Sequence, residues 1–199
     1  MSTQKMLFPI RHCLNGLALY EVEIDDEGPG MSVERKRRLA LIKLMGQGVT
    51  DFKFADLARG DFFGLDLSCL DFSYANLRGS DMCLSILRHT RFSYADMRRI
   101  SCHNSHVYKT IGLEAADLRG AATDFMVFGP VGYSGRMGLA YPRNGVVYVQ
   151  LGCFEGPADY AIELVKSKYG KKNSYVKLLK AAVARVEECM SQYRGDVIF

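Results

Sequence analysis

Asp51-Phe52-Lys53-Phe54-Ala55-Asp56-Leu57 is answered twenty residues on by Asp71-Phe72-Ser73-Tyr74-Ala75-Asn76-Leu77, and twenty further on by Arg91-Phe92-Ser93-Tyr94-Ala95-Asp96-Met97. Gly112-Leu113-Glu114-Ala115-Ala116-Asp117-Leu118 repeats the phrase one residue late. Inside this period runs a shorter one of five: Phe52, Leu57, Phe62, Leu67, Phe72, Leu77, Met82, Leu87, Phe92, Met97, Cys102 and Val107 are apolar and evenly spaced. The residue before each is often Asp or Asn, and the residue two before is often small, as at Ala55, Gly60, Ala75, Ser80, Ser85 and Ala95. A period of five fits neither a helix at 3.6 nor a strand at 2. It fits a chain that turns a corner every five residues, with one large and one small side chain pointing inward. Four corners close one turn and account for the twenty-residue echo. Stacked turns would pair their backbones at about 4.8 Å, and no single turn could bury its own core.

Ala55-Asp56-Leu57, Ala75-Asn76-Leu77, Ala95-Asp96-Met97 and Ala116-Asp117-Leu118 resemble the pentapeptide-repeat family, whose consensus is A-(D/N)-L-x-x; Met97 is the one variant. The resemblance implies a right-handed quadrilateral β-helix. The expected fold is mainly β: a pentapeptide-repeat solenoid over 50–123, capped by an N-terminal hairpin plus helix over 1–49 and followed by a small C-terminal α+β domain over 124–199.

The 199 residues carry a net charge of +4. Residues 1–50 contribute +1, residues 51–123 zero and residues 124–199 +3. No segment is basic enough to announce nucleic acid. Family members that protect type II topoisomerases resemble DNA, a rod with a strongly negative face. Here Arg59, Arg78, Arg88, Arg91, Arg98, Arg99 and Arg119 offset the repeat's acids. An acidic face drawn from Asp51, Asp61, Asp66, Asp71 and Asp81 remains the alternative, and the repeat reads as a dipole, acidic in its first half and basic in its second.

Cysteines 13, 69, 83, 102, 153 and 189 form no C-x-x-C pair, and no histidine completes a zinc spacing. No metal and no cofactor is expected. Without a signal segment or a spanning apolar run, a reduced cytoplasmic protein with no membrane partner is expected.

Ahead of the repeats, Met6–Ile24 reads as a hairpin turning at Asn15-Gly16, with Tyr20, Val22 and Ile24 on one face. Ser32 is the expected N-cap of a helix from Val33 to Met45, ended by Gly46 or Gly48. Its apolar second half is expected to cap the first turn. Its basic run Arg35-Lys36-Arg37-Arg38 reads first as a solvated face, with phosphate or an acidic partner as the alternative.

Outward residues two after Phe52, Phe72 and Phe92 are Phe54, Tyr74 and Tyr94, expected to stack as an aromatic ladder. Arg78 and Arg98 follow on the adjoining corner, with Arg99 beside them and Arg119 continuing the column after the slip. Tyr and Arg are enriched in binding hot spots, so these seven residues are the candidate partner-binding surface. Ile86, Arg91, Ser101 and His106 break the acidic position, and Leu65, Leu70 and Ile100 are large for the small one. Bulging is therefore expected across 98–106, and His103, Asn104 and His106 form a candidate polar site.

Beyond Thr123 the periodicity stops. Phe125–Pro130 reads as a strand and exit turn, Met137–Tyr141 and Val146–Leu151 as a hairpin around Arg143-Asn144-Gly145, and Phe154-Glu155-Gly156-Pro157 as a turn into a helix from Ala158 to Tyr169. A second helix runs from Ser174 to Tyr193. The glycine-rich run 129–135 lacks the close of a phosphate loop. Arg11, Tyr20-Glu21-Val22-Glu23 and Leu39–Met45 ahead of the repeats resemble the layout of phage and prophage pentapeptide-repeat proteins. Gly129-Pro130, Gly132-Tyr133-Ser134-Gly135-Arg136 and Gly152-Cys153-Phe154-Glu155-Gly156 resemble their tail.

No nucleophile–base or metal motif is present, so an enzyme is not expected. The first expectation is a phage-encoded binding protein that occupies a site on a host protein handling nucleic acid or defence and modulates it. Direct nucleic-acid binding is not expected, and a homodimer through the final helix or a hairpin edge is. The alternatives are a gyrase-binding DNA mimic, and an enzyme or small-ligand site in the C-terminal domain.

Overall fold

A computed structural model describes residues 4–131, 136–151 and 154–193. Residues 132–135 and 152–153 lie outside them, and with them most of the glycine-rich run and part of the tail likeness. The chain divides into two compact units, Met1–Ala122 and Thr123–Phe199.

The first unit is a β-solenoid with a hairpin and helix at its start. Parallel bridges join residues twenty apart along every side: Asp51 to Asp71 to Arg91, Asp56 to Asn76 to Asp96, Asp61 to Asp81 to Ser101, and Asp66 to Ile86 to His106. The large residue of each five faces inward, and all twelve from Phe52 to Val107 are 0–1% exposed. Burial of such a side chain contributes roughly 1.5–3 kcal/mol. Phe52, Phe72 and Phe92 stack at 5.7 and 5.8 Å along one inner edge.

Each corner is a β-turn. The N–H of Ala55 donates to the carbonyl of Phe52 at 3.1 Å, and Gly60 does the same to Leu57. The third residue takes positive φ at Phe54, Arg59, Cys69, Tyr74, Leu84, His89, Tyr94, Arg99, Asn104 and Lys109, and at Gly64 and Gly79. That is the type II signature, imposed here on ordinary side chains. None of these positions holds a β-branched residue, for which left-handed backbone is least accessible. The recurrent Asp explains itself at the same corner. Its Oδ1 accepts the N–H two residues on, as in Asp51 to Lys53, Asp71 to Ser73 and Asp81 to Cys83 at 2.9–3.0 Å. Such an Asx turn pre-forms the corner.

The expected bulging across 98–106 does not occur. Asp81 pairs with Ser101 and Ile86 with His106 in unbroken register. Ile100 and Leu70 are buried at 0% and 4%, so the interior accepts larger residues at the small position. The slip falls later: Arg91 pairs with Ile111, but Asp96 pairs with Asp117. A 3₁₀ turn at Leu113–Ala115 takes up the extra residue.

Strands β1 (Gln4–Arg11) and β2 (Ala18–Asp26) form the hairpin, with a register shift between Ile10 and Arg11. Ile10, Val22 and Ile24 are buried. Helix α1 runs Val33–Gly46; the Ser32 hydroxyl accepts the N–H of Arg35 as its cap, and Gln47 closes it. Arg37 and Arg38 of the basic run form neither a solvated face nor an unoccupied anion site, while Arg35 stays exposed. Arg37 donates to the carbonyl of Ala58 and reaches Asp56 at 3.4 Å. Arg38 donates to the carbonyls of Asp61 and Phe63 at 3.2 and 2.9 Å and pairs with Asp61. In later coils the equivalent carbonyls of Arg78, Asp81 and Cys83 are taken by the coil before. The two arginines thus supply the donors that a preceding coil would have supplied, and Arg35 holds Glu27.

The second unit is an antiparallel sheet in the order Met126–Val131, Arg136–Arg143, Val146–Leu151, Phe154–Pro157. Asn144 and Gly145, both at positive φ, make its tight central turn. Helices α2 (Ala158–Tyr169) and α3 (Ser174–Tyr193) cover one face, packing Ala161, Val165, Leu179 and Val183 on Phe128, Ala140, Val147 and Val149. Phe154–Pro157 is a strand rather than a turn. Its edge position tolerates the terminal proline.

Candidate partner-binding face

Two successive corners of each coil bound one side of the solenoid. The first presents Phe54, Tyr74 and Tyr94 at its third turn position. The second presents Arg78, Arg98 and Arg119 at its second position, and Arg59 and Arg99 at its third. Between them runs the ladder Asp56, Asn76, Asp96, Asp117.

The aromatic column is a continuous stack. Phe54 and Tyr74 lie 4.9 Å apart and 11° from parallel, and Tyr74 and Tyr94 lie 5.1 Å apart at 18°. His12, from the hairpin loop, extends it with its ring 4.9 Å from Phe54 and 7° from parallel. Tyr74 and Tyr94 are 44% and 63% exposed. The hairpin closes the inner phenylalanine ladder too. Tyr20 sits 5.8 Å from Phe52 and its hydroxyl donates to the carbonyl of Asp51. Sequence reasoning did not connect His12 or Tyr20 to the coils, because neither belongs to the repeat. Each stands where a residue of a preceding coil would stand.

The arginine column divides into two kinds. Arg98 forks onto Asp96 at 2.8 and 2.6 Å and reaches Asp117 at 3.6 Å. Arg119 forks onto Asp117 at 2.9 and 2.6 Å. The Arg119 fork holds the Asp117 carboxyl down at about 2, helped by the Arg119 amide and by the charge of Arg98. Arg98 holds Asp96 below its ordinary value in the same way. In the second coil Asn76 replaces the acid and donates to Asp56 Oδ1 at 2.9 Å. Arg78 has no carboxylate at the position where Arg98 and Arg119 find theirs. Among the described residues Arg59, Arg78 and Arg99 are exposed and make no ion pair.

The acidic residues are distributed. Asp51 and Asp71 share one ladder, Asp61 and Asp81 another, and Asp66 a third. Lys53 bridges Asp51 and Asp71 at 3.3 and 3.5 Å, and Arg38 holds Asp61. His103 and Asn104 lie on one corner and His106 on the ladder after it. Among the described residues no group of three or more His, Cys, Asp or Glu could hold a metal, and no helix is long and apolar enough to cross a membrane.

Residues 50–82 and 66–101 match a family model described as pentapeptide repeats, in eight copies. Among solved structures, a pentapeptide repeat protein from the Arabidopsis thaliana thylakoid lumen is 27% identical, with a TM-score of 0.35, over 36% of this chain and 49% of that one. One from the cyanobacterium Cyanothece 51142 is 20% identical over 37% and 46%, with a TM-score of 0.31. One from Nostoc Pcc 7120 is 26% identical over 41% and 70%, with a TM-score of 0.19. The chain spans about half the length of the first two. No curated protein matches it.

Proposed function

From the premise that the repeat segment belongs to the pentapeptide-repeat family, we propose that this chain is a non-catalytic binding protein whose solenoid presents the aromatic–arginine side to a protein partner. The carrying observation is the stacked column Phe54, Tyr74, Tyr94, with Tyr74 and Tyr94 exposed, one corner from the arginines. A stacked aromatic column suits this role, because its rings are ordered against one another before binding and lose little further entropy on contact.

In its finer form the proposal has a right-handed quadrilateral β-helix, encoded by a phage and acting in the host cytoplasm. It occupies and modulates a host complex that handles nucleic acid or defence. The charge balance of the repeat supports a protein partner over direct DNA binding. The dispersal of Asp51, Asp61, Asp66, Asp71 and Asp81 over three ladders favours this over a DNA-mimicking face.

Capture from bacterial lysate tests it, comparing wild type with Tyr74→Ala/Tyr94→Ala/Arg78→Ala. Loss of one reproducible partner on substitution supports the reading, and unchanged capture sinks it. A gyrase supercoiling assay runs alongside. Inhibition by the wild type that these substitutions leave intact moves the assignment to topoisomerase binding through another face.

A further inference from the structure

We infer that the aromatic–arginine side receives an acidic α-helix of the partner, gripped by Arg59, Arg78 and Arg99 rather than by Arg98 and Arg119. The inference rests on the binding role proposed above and names the partner's chemistry.

The acids of this side are already neutralised: Asp56 by Arg37, Asp96 by Arg98, and Asp117 by Arg119. What remains is three positive charges, one per coil, on Arg59, Arg78 and Arg99, of which Arg59 also lies within electrostatic reach of Glu34 on α1. The stems of Arg59 and Arg99 lean over the next coil, with Cγ 3.7 and 3.5 Å from where a Cβ would stand on Gly79 and Gly120. Their backbone positions step from coil to coil at about 4.8 Å, with Arg78 one turn position ahead of Arg59 and Arg99. Carboxylates at i, i+4 and i+7 of an α-helix step at about 5.4 Å per turn. Over three charges the two spacings stay within reach of flexible arginine side chains. A guanidinium also meets a carboxylate through two parallel hydrogen bonds. The edge of the aromatic column, one corner away, gives the apolar flank of such a helix a surface to lie on.

A nucleic acid fits less well. Single strands bind by laying bases on open aromatic faces. Here the rings of His12, Phe54, Tyr74 and Tyr94 lie on one another within 7–18° of parallel, so the faces between them are filled.

The experiment is fluorescence anisotropy with a labelled helical model peptide carrying Glu at i, i+4, i+7 and i+11 and Leu on the adjoining face, against a labelled oligothymidine, at low and high salt. The expected result is salt-sensitive peptide binding that falls about tenfold or more in Arg59→Ala/Arg78→Ala/Arg99→Ala, a loss of at least one decade in Kd. A charge-matched control, Lys43→Ala/Arg88→Ala/Arg91→Ala, stays within about twofold of wild type, since surface charges away from the site act only through a screened field. Arg78→Glu, a single exposed change, gives the same loss should the triple variant fail to fold. Absence of peptide binding, equal loss in the control, or tighter binding of oligothymidine overturns the inference. Lysate capture separates the two levels. A partner lost with Tyr74→Ala/Tyr94→Ala but kept by the arginine triple overturns the acidic helix and leaves the binding face standing. A partner kept by both sets of substitutions removes the face itself.

Discussion

Gly112 rests against Ser93: a Cβ added to Gly112 would stand 2.1 Å from Ser93 Oγ and 2.6 Å from the Ser93 nitrogen. The contact lies where the solenoid absorbs its extra residue, and Gly112 holds φ +82 to make it. Gly112→Ala should therefore cost roughly 3 kcal/mol, combining left-handed strain of about 1–2 with overpacking against backbone. Gly64→Ala, at φ +69 but with nothing within 4 Å, should cost only the strain. Urea midpoints followed by far-UV circular dichroism test the contrast. Equal losses would mean that the Ser93 contact is not what demands glycine.

Leu84 tests the corner rule. It sits at φ 58 and is 51% exposed, so packing contributes little to its choice. Leu84→Val should lower stability by about 1–2 kcal/mol, since a β-branched residue resists left-handed backbone. Leu84→Asn should be neutral or slightly stabilising, because asparagine visits that region readily. Indistinguishable midpoints for the two variants would remove backbone conformation as the reason β-branched residues are missing from these corners.

The inward positions were legible because one rule, a large apolar side chain every fifth residue, acts on every coil from Phe52 to Val107. The corner conformations were not, because Phe54, Arg59 and Leu84 share no side-chain property; what they share is a lack of β-branching. The stacking of Tyr74 and Tyr94 follows from the period alone. Whether an arginine beside it is already engaged does not. Arg78 and Arg98 occupy equivalent positions and differ because residue 76 is an amide and residue 96 an acid. The role of Arg37 and Arg38 was illegible for another reason. Their targets lie 19 to 25 residues along the chain, and the seating of α1 beside the first coil follows no repeat. At 100 and 70 the pattern was read too strictly, since side-chain size matters less there than the backbone ladder.

Arg38 should be the sharper test of how the solenoid begins. It donates to two carbonyls of the first coil, and its side chain is 19% exposed. Arg38→Ala should destabilise the protein by about 1–3 kcal/mol, the cost of leaving hydrogen-bonding groups without partners in a half-buried setting. It should also raise aggregation, as an uncovered edge pairs with other chains. Arg38→Lys should rescue only part, because the contacts all come from Nη1 at the far end of the arginine, beyond the reach of the shorter lysine. Light scattering during thermal melts reads both effects, and full rescue by lysine would make the contribution one of charge alone.

Asp117 gives a prediction in pH. Its carboxyl is held at about 2 against an ordinary 3.8, chiefly by the Arg119 fork. A depressed carboxyl binds its proton less readily in the folded chain than in the unfolded one. Its contribution is therefore complete above 3.8 and disappears as the pH falls through about 2. Arg119→Gln should return the carboxyl towards 3.8. The stability gap between wild type and variant should then be widest above that value and close as both chains are acidified to about 2. Carboxyl carbon NMR titrations read the shift and melting temperatures across the same range read the gap. A gap that stays constant through the window would show that Arg119 acts through packing, with its charge on Asp117 immaterial.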